Sequence, residues 1–260
     1  MFSLTTLASG SAGNCALVQT DQCRLLIDSG LSARQISLRL AQLGLEPAQL
    51  DGILITHEHC DHISGLEVLC KRHQIPLYTN SLTAEALGSR GEKKRDWRLF
   101  QTGSAFTVGD LEVQTFAIPH DAVDPVGFVL NRAGVALGFA TDLGFATKLV
   151  MERLRGVHTL VIETNHDEKL LREDKKRPWS VKQRIMSRHG HLSNEAAARI
   201  LQELLHDGLQ RVVLGHLSRD CNSPELATGI VSDALAQAGA AHIEVFCASQ
   251  AESSPRFSLL

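Results

Sequence analysis

Gly52-Ile53-Leu54-Ile55-Thr56-His57-Glu58-His59-Cys60-Asp61-His62 joins a short apolar run to three imidazoles and a carboxylate packed into six residues. Imidazole and carboxylate together suit zinc, manganese or iron, and two more His or Asp groups from elsewhere would complete two adjacent metal positions. A lone His or Asp after a strand is ordinarily a cap or a turn residue. Four ligand types beside an apolar strand have few structural uses, and a metal site of this kind makes hydroxide at neutral pH. The run therefore points to a hydrolase.

The same arrangement recurs along the chain. Asp28 ends Leu25-Leu26-Ile27, His120 follows an apolar strand through Pro119, and Asp142 follows Gly138-Phe139-Ala140-Thr141. Glu163 ends Leu160-Val161-Ile162, and His216 ends Val212-Val213-Leu214-Gly215. Strand ends of this type converge on one rim of a sheet, where α/β proteins place their sites. His73, His158, His206 and His242 lack such a setting and read as ordinary histidines.

Around these positions the pattern predicts strands over 2–7, 15–19, 24–28, 52–55, 111–118, 127–130, 135–140, 159–163, 211–214 and 243–246. It predicts helices over 32–43, 64–72, 145–154, 194–206 and 224–237, the last with Ser223 as N-cap, Pro224 in first position and Gly239 past the end. Strand hairpins followed by strand–helix alternation in both halves suit two mixed sheets packed face to face with helices outside. The basic stretch 169–188, with Pro178 and Trp179 inside it, reads as a long loop over the site.

Composition excludes several classes. A hydrophobic content of 43% and a charged content of 21% are those of a globular protein, and a net charge of −3 announces no nucleic-acid partner. No stretch approaches the roughly 18 apolar residues that a membrane span needs. The N-terminal residues lack the basic start of a signal peptide, and the six cysteines are scattered without a C-x-x-C pair, so free thiols in the cytoplasm are expected.

With its H-x-H-x-D-H run and later His, Asp and His, the chain resembles the metallo-β-lactamase-fold hydrolase superfamily. It is similar more specifically to the YycJ/VicX/WalJ-like proteins, a group associated with nuclease activity on DNA. The segments that carry this are 8–14, 119–127, 163–167, 190–195 and 216–224, so the likeness spans nearly the whole chain. The resemblance implies an α/β (α+β) fold, a four-layer αββα sandwich, formed as a single domain over 1–260. Only 73 residues, 143–215, separate Asp142 from His216, too few for the inserted domain of β-CASP relatives.

It also implies two divalent metal ions, zinc or manganese with iron as a further option. His57, His59 and His120 would hold one, Asp61, His62 and His216 the other, with Asp142 bridging, and Asp28 would orient the His loop. Two ions close together lower the pKa of a bridging water and clamp a substrate oxygen. Asp61, His191 and Glu163 are the candidate catalytic groups, His191 as proton donor or phosphate contact paired with Glu163; a plain helix-capping role for His191 is the alternative. Ser9, Ser11, Asn14, Asn165, His166 and Asn222 are candidates for hydrogen bonds to phosphates or to groups behind the ligands. The basic segments 90–98 and 169–188 would add phosphate contacts, solvated faces being the alternative. The leading expectation is a phosphodiesterase acting on nucleic acid, a 5′-to-3′ exonuclease on DNA. A metallohydrolase of a thioester, lactone or β-lactam is the second, and a vestigial metal-bearing regulator the third.

Overall fold

A computed structural model of the chain describes residues 1–88 and 95–260. Apolar strands dominate it and fall into two seven-stranded sheets. The first contains β1 (Phe2–Ala8), β2 (Cys15–Thr20), β3 (Arg24–Ile27), β4 (Gly52–Leu54), β5 (Leu77–Asn80) and β6 (Trp97–Phe100), with β14 (Phe257–Ser258) added beside β1. The second runs β13-β12-β11-β10-β9-β8-β7, from β7 (Ala105–Val108), β8 (Leu111–Ala117), β9 (Val126–Arg132) and β10 (Val135–Ala140) to β11 (Thr159–Glu163), β12 (Arg211–Gly215) and β13 (Glu244–Cys247).

Burial explains why the sheets stack. Alternate side chains on each strand face opposite ways, so a strand buried on both faces is largely apolar. Leu4, Val18, Leu25 and Ile27 of the first sheet pack against Val113, Phe128, Leu137 and Val161 of the second. The outer face of the first sheet is covered by α1 (Ala33–Gln42) and α3 (Leu66–His73) through Ile36, Leu40, Leu66 and Leu69. The outer face of the second is covered by α5 (Lys148–Leu154), α8 (Asn194–Glu203) and α9 (Pro224–Gln237) through Val150, Ala197, Leu201 and Val231. The result is the four-layer αββα order. Ser32, Ser193 and Ser223 each accept an amide hydrogen bond at a helix start, which fixes where the chain leaves the sheets.

Strand direction places the site. β3 runs parallel to β4, and β10 runs parallel to β11 and β12. Two antiparallel pairings through β9 bring β8 into the direction of β10. Asp28, His57, His120, Asp142, Glu163 and His216 therefore follow, or end, strands that finish at neighbouring rims.

The stretch 169–188 departs from the expected loop. It contains α6 (Glu168–Glu173) and α7 (Trp179–Ile185), short helices that the loop-like composition concealed. Asp167 caps α6 by accepting from the Leu170 amide, Leu171 is buried, and Lys182 Nζ donates to the Arg172 carbonyl to tie the two together. Also unanticipated are α2 (Cys60–Ile63), α4 (Ser81–Gly88), β5, β6, β7 and β14, all of at most eight residues, too short for periodicity to emerge. The basic segment 90–98 lies outside the described residues over 90–94.

Candidate metal centre

Three strands end in an abrupt left-handed turn. Asp28 after β3, Asp142 two residues beyond β10 and His216 after β12 have φ of 60°, 57° and 57°. This conformation redirects the chain within one residue, and Asp and His tolerate it better than most side chains. Between β4 and α3, His57 precedes His59, which is extended, and Asp61 and His62 sit on α2. Gly30 lets the loops meet: a Cβ there would lie 1.7 Å from the Asp61 carbonyl oxygen.

The ligand types converge. His57, His59 and His120 present nitrogens that all lie within 4.8 Å of one another, as do the ligand atoms of Asp61, His62 and His216. Asp142 lies between the two groups: its Oδ1 is 3.7 Å from His120 Nε2 and 3.5 Å from His216 Nε2, and its Oδ2 is 3.1 Å from His62 Nε2. His59 Nδ1 faces His120 Nε2 at 3.3 Å, and His216 Nε2 faces Asp61 Oδ2 at 3.2 Å.

Behind the ring, four of the histidines have a partner on the far nitrogen. His62 Nδ1 is 2.7 Å from Asp28, which also accepts from the Thr56 amide and hydroxyl. His57 Nδ1 is 3.0 Å from Thr56 Oγ1, His120 Nδ1 is 3.2 Å from the Gly190 carbonyl, and His216 Nδ1 is 2.7 Å from Glu163. Partners of this kind fix ring orientation and leave the other nitrogen free to coordinate.

The donor set fits divalent cations. His57 Nε2 is buried with no hydrogen-bond partner, and Asp142 Oδ2, out of line with His62, makes no hydrogen bond either. Such atoms are costly unless a cation answers them. The electrostatics of Asp142 and His57 point the same way. Burial alone would raise Asp142, yet the positive charges of His216 and His62 hold its carboxyl well below the usual range. His57 is pushed well below the ordinary histidine value by burial and by His62, which favours the neutral, ligating ring. His62 is held well above it: burial opposes, but Asp142 and Asp28 outweigh it.

Glu163 and His191 adjoin this ring. The fully buried Glu163 accepts from His191 Nδ1 at 2.8 Å, and the His191 ring stands 5.2 Å from those of His120 and His216. His191 is raised above the usual value because Glu163 outweighs burial. A cavity of about 270 Å³ opens over the cluster, lined by His59, Asp142, His191, Ser11 and Asn165 and by Arg177 and Arg184 from the 169–188 segment.

Of the other candidates, Ser11 and Asn165 reach this cavity, and Asn165 also donates to the His216 carbonyl. Four turn inward. Ser9 Oγ accepts from the His216 amide and donates to Asn14 Oδ1, and Asn14 Nδ2 lies 3.3 Å from His62 Nε2. Asn222 donates to the Thr164 carbonyl and Asn194, and His166 is buried, with burial pushing it down to about 4. These four lie behind the ligands, where folding has consumed or enclosed their polar atoms. Sequence reasoning did not single out Thr56 or the Gly190 carbonyl. Neither residue type carries a signal, since only the fold puts them against imidazoles.

A four-layer αββα sandwich with a His/Asp cluster at the rim of its sheets defines a metallo-β-lactamase-fold protein. The beta-lactamase superfamily domain matches residues 23–217, and the chain belongs to that superfamily and, within it, to the YycJ/WalJ family. It is 38% identical over 237 residues to exodeoxyribonuclease YycJ of Bacillus anthracis, covering 90% of this chain and 89% of that one. It is 37% identical over 243 residues to exodeoxyribonuclease WalJ of Streptococcus pneumoniae, covering 91% and 89%. Among solved structures, the metallo-beta-lactamase fold protein YhfI from Bacillus subtilis superimposes with a TM-score of 0.73 at 19% identity, over 98% of this chain and 99% of that one. No helix among the described residues is long and apolar enough to cross a membrane.

Proposed function

We propose that this protein is a metal-dependent exodeoxyribonuclease that removes nucleotides from DNA ends in the 5′-to-3′ direction, formed as one domain over 1–260. His57, His59 and His120 would hold one divalent ion, Asp61, His62 and His216 a second, and Asp142 would stand between, zinc or manganese being the ions such donors favour. When bound, the ions supply Lewis acidity and an acidified water. Asp28, Glu163, Ser9 and Asn14 hold the ligand rings and backbone in place.

The observation that carries the reading is the pair Glu163–His191, 2.8 Å apart, whose His191 opens on the same cavity as the ligand cluster. Glu163 fixes the His191 Nδ1 proton and favours the charged ring, so the opposite nitrogen can hold a proton for the oxygen that leaves phosphorus. Arginines on the cavity wall suit an anionic backbone, and the names and extent of similarity of the YycJ and WalJ relatives support DNA. Six free cysteines suit a reducing compartment, the cytoplasm.

The test is end-labelled single- and double-stranded DNA and RNA incubated with manganese- or zinc-supplemented protein, beside a panel of thioesters and lactones. Stepwise shortening of DNA, lost in His59→Ala while binding persists, is the expected result. Thioester or lactone turnover with inert nucleic acids would overturn the proposal in favour of a small carbonyl substrate.

A further inference from the structure

The cations of 169–188 differ in how fully their partners occupy them. Lys176 Nζ and Arg177 Nη2 are paired with Asp220, Arg177 Nη1 with Asp174, and Arg172 with Glu168. Arg188 lies over the Phe145 ring, 4.6 Å from its centroid. Arg184 stands apart. Its Nε donates to Asp121 Oδ2, its two Nη groups make no hydrogen bond among the described residues, and it lines the cavity that holds His59, Asp142 and His191. The other oxygen of the same carboxylate, Asp121 Oδ1, lies 3.3 Å from His120 Nε2, the ring atom that also faces His59.

One carboxylate thus spans the gap between a ligand nitrogen and an arginine fork. The two nonbridging oxygens of a phosphodiester present the same geometry: two oxygens on one centre, sharing a negative charge. A guanidinium pairs with either anion through the same donors, whereas a point-charged ammonium does not reproduce the fork. Resting on the phosphodiesterase reading above, we infer that Arg184 binds a nonbridging oxygen of the reacting phosphate, and that Asp121 occupies that position in the free protein. Substrate exchanges one anion for another on Arg184, and the released Asp121, already partly exposed, returns to water. A thioester or lactone carries no such anionic fork and has no use for Arg184.

Arg184→Ala, Arg184→Lys and Asp121→Asn are compared with the parent on an end-labelled oligonucleotide and on bis(p-nitrophenyl) phosphate, a diester with no flanking phosphates. Metal content and calorimetric binding of inorganic phosphate are measured alongside. Arg184→Ala should lose about ten- to hundredfold in kcat/KM on both diesters and bind phosphate about tenfold more weakly, with metal content unchanged. Arg184→Lys should remain impaired on both. Asp121→Asn should lower KM, because the competing internal anion is gone. Loss on the oligonucleotide alone would place Arg184 on a flanking phosphate and overturn the inference, as would full activity in Arg184→Lys or loss of metal in Asp121→Asn. Failure of the broader reading looks different: the parent itself would leave both diesters intact.

Discussion

Replacing Glu163 by glutamine keeps the shape of the side chain and removes the charge that organises one side of the site. Glu163 is fully buried and accepts four hydrogen bonds. His216 Nδ1 at 2.7 Å and His191 Nδ1 at 2.8 Å reach Oε1, and the Leu143 and Leu192 amides at 3.0 and 3.1 Å reach Oε2. A glutamine offers one acceptor oxygen and one NH2, so two of the four donors would face another donor. Removing one partner of a buried ion pair costs about 3–5 kcal/mol. Linkage gives a second figure. Burial would raise the Glu163 carboxyl, but His191, by charge and hydrogen bond, and His216 bring it from 4.5 down to about 2. A fall of that size corresponds to about 3 kcal/mol. Because the folded value is the lower one, this stability is present above about pH 4.5 and is lost as pH falls toward 2. His216 sets the alkaline limb. Burial pulls it down, but Asp142, Asp61 and Glu163 push it up to about 10. Its contribution is therefore full below its ordinary value of 6.5 and disappears as pH rises through 10. Urea unfolding of chelator-treated parent and Glu163→Gln, followed by far-UV circular dichroism, should show a gap of about 3 kcal/mol at pH 7 that narrows at pH 4 and at pH 10. A gap below about 1 kcal/mol at pH 7, or one indifferent to pH, would refute the account of Glu163 as the buried anion between two imidazoliums.

His191→Ala should lower turnover on DNA by about 10²-fold or more while metal content, read by elemental analysis, stays at the parent level; loss of metal would make His191 a ligand instead. Gly30→Ala should abolish metal binding and lower the melting temperature, because its Cβ would meet the Asp61 carbonyl oxygen at 1.7 Å and Asn14 N at 2.6 Å, both backbone atoms that cannot swing aside. Arg39→Ala should cost about 3 kcal/mol and open the segment near 250 to limited proteolysis, since the buried guanidinium donates to the carbonyls of Leu7, Gln250 and Ala251.

What the sequence made legible was periodic or repeated. Long apolar strands such as 111–118 and 159–163, and helices with serine caps such as 224–237, carry signals that the fold kept because packing and local preference agree there. The recurrence of a ligand type after an apolar run was also legible, since parallel strands must finish on a common rim. The helices of 169–188 were hidden by their polarity. Their stability comes from Leu171 and from Lys182 on a distant carbonyl, not from an amphipathic stripe. The polar residues of the glycine turn, Ser9 and Asn14, could not be assigned from sequence, because a hydroxyl that braces a backbone and one that meets a phosphate look alike until the chain has folded.

Nor does the sequence disclose how the strand ends turn. Of the five non-glycine residues with positive φ among the described residues, three are Asp28, Asp142 and His216. Each such conformation costs about 1–2 kcal/mol and persists only where the surroundings over-determine it. At Asp28 the restraint is the pair of bonds from Thr56 N and Oγ1 together with His62; at His216 it is Ser9 Oγ on the amide and Glu163 on the ring. At Asp28 and His216, the strained backbone thus coincides with a residue held by several partners. Inward-turned Ser9 and Thr56 therefore take part in holding the ligand-bearing turns. A regular strand end would point alternate side chains to opposite faces, whereas the left-handed turn delivers Asp142 and His216 from adjacent parts of one sheet to a common point. The hydrogen bonds that offset the strain are therefore part of how the cluster exists before any ion or substrate reaches it.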